Sequence, residues 1–178
     1  MSSFFQQRRE PIWHSLCHTP ARIDAHYLPW LLDKGSLTQK LVARSQGDFR
    51  VDVLKQSIQS IHFSEGQALG LSSRQWAVVR EVILYGQQVA WVYARTIIPL
   101  ATLHGPLRRL HYLGNKPLGE QLFTDPSMKR EPMQIAQIQA QQLPPTLALS
   151  QATWGRRSVF RLANKPLLVS EFFLPALF

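Results

Sequence analysis

The chain changes its rhythm near residue 49. Upstream of it, "SLTQKLVARSQG" (36–47) puts Leu37, Leu41 and Val42 on one side of a helix, with Ser36 and Gln39 spaced as a capping box and Gly47 placed to end it. The shorter apolar segment "YLPWLLDKG" (27–35) precedes it. Downstream, "FRVDVLKQSI" (49–58) alternates with a period of two, as a half-buried strand does. "WAVVREVILYG" (76–86) and "VAWVYARTIIPL" (89–100) are stronger strands, joined by a tight turn at Gly86-Gln87-Gln88 and hence a hairpin. Helical spacing returns in "GPLRRLHYLG" (105–114), with Pro106 near the first turn and Gly114 past the last, and briefly in "PLGEQLF" (117–123). "MKREPMQIAQI" (128–138) reads as a strand weakened by Pro132. The stretch 139–153 reads as a loop, and "RRSVFRLA" with "KPLLVSEFFLP" makes a second hairpin around Asn164.

About six strands, mostly linked by hairpins, with helices early and midway, predict an α+β fold: an antiparallel sheet with helices on one face. There is no alternation of strand and helix and no glycine-rich phosphate loop. The length of 178 residues suits one domain, expected to span 1–178.

Composition narrows the partner. Only 17% of residues are charged and 45% are hydrophobic, so a packed core is expected. The net charge is +9, and fourteen of the twenty cations are arginine. Arginine's planar fork fits carboxylates and phosphates two bonds at a time, so an anionic partner is implied, whether nucleic acid, membrane surface or small acid. The single cysteine, Cys17, rules out an internal disulfide and suits a reducing compartment. "MSSFFQQRREPIW" has no apolar run of signal-peptide length, and "PLLVSEFFLPALF" is too short to span a bilayer. A soluble, cytoplasmic protein is expected.

The period-two rule also puts charges inside strands. Val78, Arg80, Val82 and Leu84 share a face; so do Val89, Trp91, Tyr93, Arg95 and Ile97, and so do Leu167, Val169, Glu171 and Phe173. Each strand thus carries one charge among large apolar side chains. A buried unpaired charge is costly, so each needs a partner. Arg80 or Arg95 pairing with Glu171 would make an inert ion pair. Two arginines against one glutamate leave a cation over, which would suit a bound anion. Glu81 points to the face opposite Arg80 and is not expected to pair there.

Other candidates are weaker. His14, Cys17 and His18 lie close in sequence, but no further ligand cluster accompanies them, so no metal is expected. Arg108-Arg109 and Arg156-Arg157 read as solvated loop or helix-end pairs, or else as charges that help steer an anion. No nucleic-acid-binding motif accompanies them, so no nucleic-acid partner is expected.

The blocks "VVREVILYG" (78–86), "ARTIIPLATLHGP" (94–106), "LGNKPLGEQLF" (113–123) and "WGRRSVFRLANKPLLVSEFFLP" (154–175) resemble, in order and spacing, the chorismate pyruvate-lyase family. The resemblance is close from about Gln75 onward and traceable from about Pro29; the segment 139–153 is longer and richer in glutamine and proline than the family pattern. The family splits chorismate into 4-hydroxybenzoate and pyruvate, the first committed step of bacterial ubiquinone synthesis. The resemblance implies a cytosolic monomer without metal or cofactor. It implies a six-stranded antiparallel sheet with helices on one face and helical flaps over an internal ligand pocket. By position it makes Arg80 the holder of the ring carboxylate and Glu171 the group facing the ring oxygen. Glu171 would either accept the phenolic proton or donate one. Leu118 would contact ligand through its backbone amide and Leu37 would sit in a flap, where the family pattern has methionine. Arg95 is expected to serve the second carboxylate. A ligand-sensing domain of the same fold is the rival reading; such domains accompany a DNA-binding domain, for which 178 residues leave no room.

Overall fold

The computed structural model of the chain describes residues 10–18, 22–72 and 75–178. The first nine residues, read above for a leader, lie outside them. One antiparallel sheet forms the centre. Its strands are β1 (His14–Ser15), β2 (Phe49–Ser60), β3 (Trp76–Gly86), β4 (Val89–Pro99), β5 (Lys129–Arg130), β6 (Gln134–Ile138), β7 (Thr153–Leu162) and β8 (Lys165–Phe173). They run in the order β1-β6-β7-β8-β4-β3-β2, with β5 also on β7. Against them pack α1 (Leu28–Leu31), α2 (Leu37–Ser45), α3 (Phe63–Leu69), α4 (Leu118–Phe123) and a 3₁₀ segment, Gly105–Tyr112.

The sheet has eight strands rather than six. Pro132, which has no N–H to give a ladder, falls where the expected strand 128–138 breaks into β5 and β6. Strand β1 is two residues long, too short for alternation to show. The hairpins form as expected: Gln87-Gln88 and Ala163-Asn164 both have positive φ, the backbone of a two-residue turn that matches strand twist. Gly86 is required by packing, since a Cβ there would lie 2.0 Å from the Trp91 ring. Ser36 caps α2 by accepting from the Gln39 amide, and Gln46 and Gly47 close the helix with positive φ. The stretch 139–153 holds two short 3₁₀ turns at Ala140–Gln142 and Pro145–Leu147.

Helices cover both faces of the sheet, not one. On the first face, Trp30, Leu31, Leu37 and Leu41 pack on Val82, Leu84, Trp154 and Phe173, while Leu107, Leu110 and Leu122 pack on Val78, Ile98, Phe160 and Leu167. On the second, Leu69 of α3 packs on Val79, Ile97 and Leu168, and Leu143 packs on Tyr93, Ile138 and Phe172. Each face therefore carries two apolar clusters with a polar gap between them. The register aligns the two gaps: Val82, Ala94, Glu171 and Arg156 form one row across β3, β4, β8 and β7, and Glu81, Arg95, Ser170 and Arg157 form the adjoining row on the opposite face.

Candidate active site

The gap on the first face is a cavity. Its volume is about 50 Å³, room for a few water molecules on the scale where one needs roughly 10–15 Å³. Val82, Leu84, Ala94, Thr96, Phe160 and Val169 floor it. The starts of α2 and α4 roof it, through Leu37, Thr38, Leu118 and Gly119. The roof is tight: a Cβ on Gly119 would come within 2.6 Å of the Thr38 hydroxyl. An outer groove on the far side of the roof shares Thr38, Val51, Pro117 and Phe123 with the cavity.

Four charged side chains line the cavity: Arg80, Arg130, Arg156 and Glu171. Arg156 is 1% exposed, and its Nε donates to Glu171 Oε2 at 2.5 Å. Its Nη1 donates to the carbonyls of Trp30 at 2.7 Å and Asp33 at 2.6 Å, tying α1 and the loop that follows it to the sheet. Arg80, 2% exposed, donates to Gln56 Oε1 at 3.3 Å and to the Lys116 carbonyl at 3.2 Å. Gln56 is itself oriented by its bond to the His111 carbonyl. No carboxylate pairs with Arg80 among the described residues, and burial pushes its pKa below the usual arginine value. Arg130 reaches in from β5. Its Nε donates to Ser158 Oγ at 3.0 Å and its Nη1 to the Lys34 carbonyl at 3.3 Å. Burial, together with the charge of Arg156, lowers its pKa, while Glu171 and Asp33 offset part of that.

The structure thus brings together Arg80, Glu171, Leu37 and Leu118. Arg95 stands elsewhere. It projects from the opposite face, where Nε and Nη2 bind Glu65 at 2.7 and 3.2 Å and Nη1 binds Glu81 at 2.7 Å. Two carboxylates occupy its guanidinium, and their pull outweighs burial to raise its pKa. Burial opposes ionisation of Glu65, yet Arg95 and His62 together hold its pKa below the ordinary value. Alternation along β4 did not reveal which face is which, because both faces of that strand are buried. A bulge also breaks the pattern: the register shifts between Leu84 and Tyr85, and Trp91 turns to the first face.

The arginine beside Glu171 is Arg156, from a pair read above as solvated; Arg157 is buried too. Arg157 donates to Gln134 and Ser64 and lies 4.6 Å from the Trp13 ring centroid. Burial pushes its pKa down to about 10 against the pull of Glu65 and Glu10. Strand β7 also begins earlier than expected, at Thr153, so these arginines sit mid-strand rather than at its exposed start. The missed signal was period two: Trp154, Arg156, Ser158 and Phe160 alternate with Gly155, Arg157 and Val159. Arg108-Arg109 lie in the 3₁₀ segment, with Arg109 bound to Asp125 at 3.0 Å. No group of three or more possible metal ligands occurs among the described residues. No helix among them is long and apolar enough to cross a membrane.

Comparisons with known proteins point to one family. A family model described as "Chorismate lyase" matches residues 18–178. A probable chorismate pyruvate-lyase of Methylococcus capsulatus is 40% identical over 151 residues, covering 83% of this chain and 93% of that protein. One from Marinobacter nauticus is 41% identical over 161 residues, covering 90% and 79%. Among solved structures, PhnF from Mycobacterium smegmatis has a TM-score of 0.58 at 14% identity, covering 82% of this chain and 66% of that one. A GntR-family transcriptional regulator from Bacillus cereus scores 0.57 at 12% identity, covering 74% and 94%. At such identities these regulators share the fold alone. With the family model over most of its length and relatives near 40% identity behind it, this chain belongs to the chorismate lyase family.

Proposed function

We propose that this chain splits chorismate into 4-hydroxybenzoate and pyruvate in the cavity under α2 and α4. The observation that carries the reading is an apolar slot with opposite chemistry at its two ends. A buried arginine without a carboxylate partner among the described residues, Arg80, stands at one end, and Glu171 stands two strands away at the other. Family membership supports the substrate.

Arg80 takes the ring carboxylate, held in line by Gln56 and the Lys116 carbonyl. Glu171 accepts a hydrogen bond from the ring hydroxyl, and Arg156 fixes the carboxylate's orientation. Leu37 and Leu118 lie over the ring as the inner surface of two helical flaps, which must part to admit a ring acid to so small a cavity. In the reaction the ring–oxygen bond of the enolpyruvyl ether breaks. The hydrogen on the neighbouring, hydroxyl-bearing carbon leaves as a proton, and the ring becomes aromatic. The enolpyruvyl fragment gains a proton and departs as pyruvate. Aromatisation supplies the driving force, so the protein's part is to hold the reactive conformer and to stabilise charge on the leaving fragment in a water-poor site.

The test mixes purified protein with chorismate and follows both products together. Equimolar 4-hydroxybenzoate and pyruvate, absent from a heat-killed control, is the expected result. No product from folded protein that binds 4-hydroxybenzoate would reduce the site to a ring-acid binding pocket and end the lyase reading.

A further inference from the structure

The cavity holds more positive charge than Glu171 neutralises. Three arginines and one carboxylate line it, leaving two positive charges, the complement of a dicarboxylate. Arg156 is committed to Glu171 and two carbonyls, and Arg95 is held by two glutamates on the other face. Arg80 and Arg130 remain, and they flank one row of the sheet. The row runs from Arg80 through Thr96 and Val169 to Ser158, the residue that Arg130 grips from β5. A ring lying over Thr96 and Val169 with one carboxylate on Arg80 presents its far side to Arg130. Nε and Nη1 of Arg130 are used by Ser158 and Lys34. Among the described residues nothing takes Nη2, which leaves both of its N–H donors for an anion. Glu171, one row along, is offset from Arg130, as the ring hydroxyl is offset from the neighbouring ether arm.

Building on the lyase reading above, we propose that Arg130 receives the carboxylate of the enolpyruvyl arm and so distinguishes a two-carboxylate substrate from a one-carboxylate ring acid. The arm leaves with pyruvate, so Arg130 contributes to binding of substrate and not of 4-hydroxybenzoate, whereas Arg80 contributes to both.

The decisive measurement is the affinity for a pair of inert ring acids. The first, 3-(1-carboxyethoxy)benzoate, carries a carboxylate on an ether arm; the second, 3-ethoxybenzoate, lacks it. Arg130→Met is expected to lower affinity for the first at least about tenfold, the scale of one charge-assisted contact. Affinity for 3-ethoxybenzoate and 4-hydroxybenzoate stays within about threefold, which also reports an intact cavity. Arg130→Lys falls between, since it keeps the charge and loses the fork. Arg80→Met weakens all three acids. An unchanged preference for the dicarboxylate in Arg130→Met, or an equal loss on all three acids, overturns the assignment. Arg130→Gln serves the same comparison where Arg130→Met fails to fold. Chorismate turnover by the unaltered chain separates the two readings. Turnover with an unchanged preference in Arg130→Met removes Arg130 alone. No turnover with a lost preference removes the lyase and leaves a dicarboxylate site.

Discussion

Arg80 and Glu171 are tolerated inside the sheet for different reasons. Glu171 is neutralised within the protein by Arg156, so its carboxylate is positioned whether or not ligand is present. Among the described residues Arg80 is bonded only to neutral oxygens, so a bound anion would match its charge. Arg80→Met is therefore expected to weaken 4-hydroxybenzoate binding by about 2–5 kcal/mol, the range for loss of a buried charge-assisted contact; calorimetry reads it directly. Unchanged affinity would show that the ring carboxylate lies elsewhere. Glu171→Gln keeps shape and a hydrogen-bond acceptor for Arg156 but removes the charge. It is expected to reduce turnover far more than it reduces 4-hydroxybenzoate affinity or the melting temperature, which steady-state kinetics beside thermal unfolding will check.

At the level of elements, the roof and α3 make opposite demands. The starts of α2 and α4 meet at Gly119, where absence of a side chain lets the helices approach. Gly119→Ala is expected to push them apart and to speed 4-hydroxybenzoate release, measured by stopped-flow displacement, with the fold retained; unaltered release would mean the Thr38 side chain simply rotates away. Helix α3 is instead clamped. Glu65 of α3 binds Arg95 of β4 and accepts from the His62 amide, while Glu10 accepts from the Phe63 and Ser64 amides. Arg95→Met removes the cation that bridges Glu65 and Glu81. The expected cost is about 3–5 kcal/mol of stability in urea unfolding, with 4-hydroxybenzoate affinity retained by the folded fraction. A large loss of affinity with stability intact would return Arg95 to the ligand site.

Across the whole molecule, carboxylates held ionised by their neighbours are expected to set the acid limit of stability. Glu65 titrates below its ordinary value of 4.5 in the folded state. A depressed carboxylate adds stability that is present above its unfolded value and is lost as pH falls through the folded one. Asp33 acts in the same direction: burial opposes its ionisation, but Lys40 and the Gly35 amide outweigh it. Unfolding free energy should therefore decline once pH drops below about 4.5. Glu65→Gln should flatten that decline while lowering stability near neutrality by about 1.5–3 kcal/mol. Parallel acid limbs in the two proteins would contradict this account of α3.

Local pattern alone determined much of the architecture. Alternation placed the two hairpins and the shared faces of Arg80 and Glu171, because period two is a property of the strand itself. The cap at Ser36 and the glycine after it located α2 for the same local reason. Helix α3 left weaker marks, Glu65 three residues after His62 and Gly70 at its end with positive φ, and its seven residues are too few for a helical period to stand out. What alternation does not contain is which buried face of a strand meets which partner. β4 is buried on both sides, so only its register against β3 and β8 decided that Ala94 and Thr96, not Arg95, face the cavity. The partnership of Arg156 with Glu171 was likewise decided by pairing across β7 and β8, fifteen residues apart in sequence. Arg130 joins the same site only because β5 folds back on β7. Charge compensation in a core is set by distances between strands, and those are fixed by tertiary pairing rather than by the order of residues along any one of them.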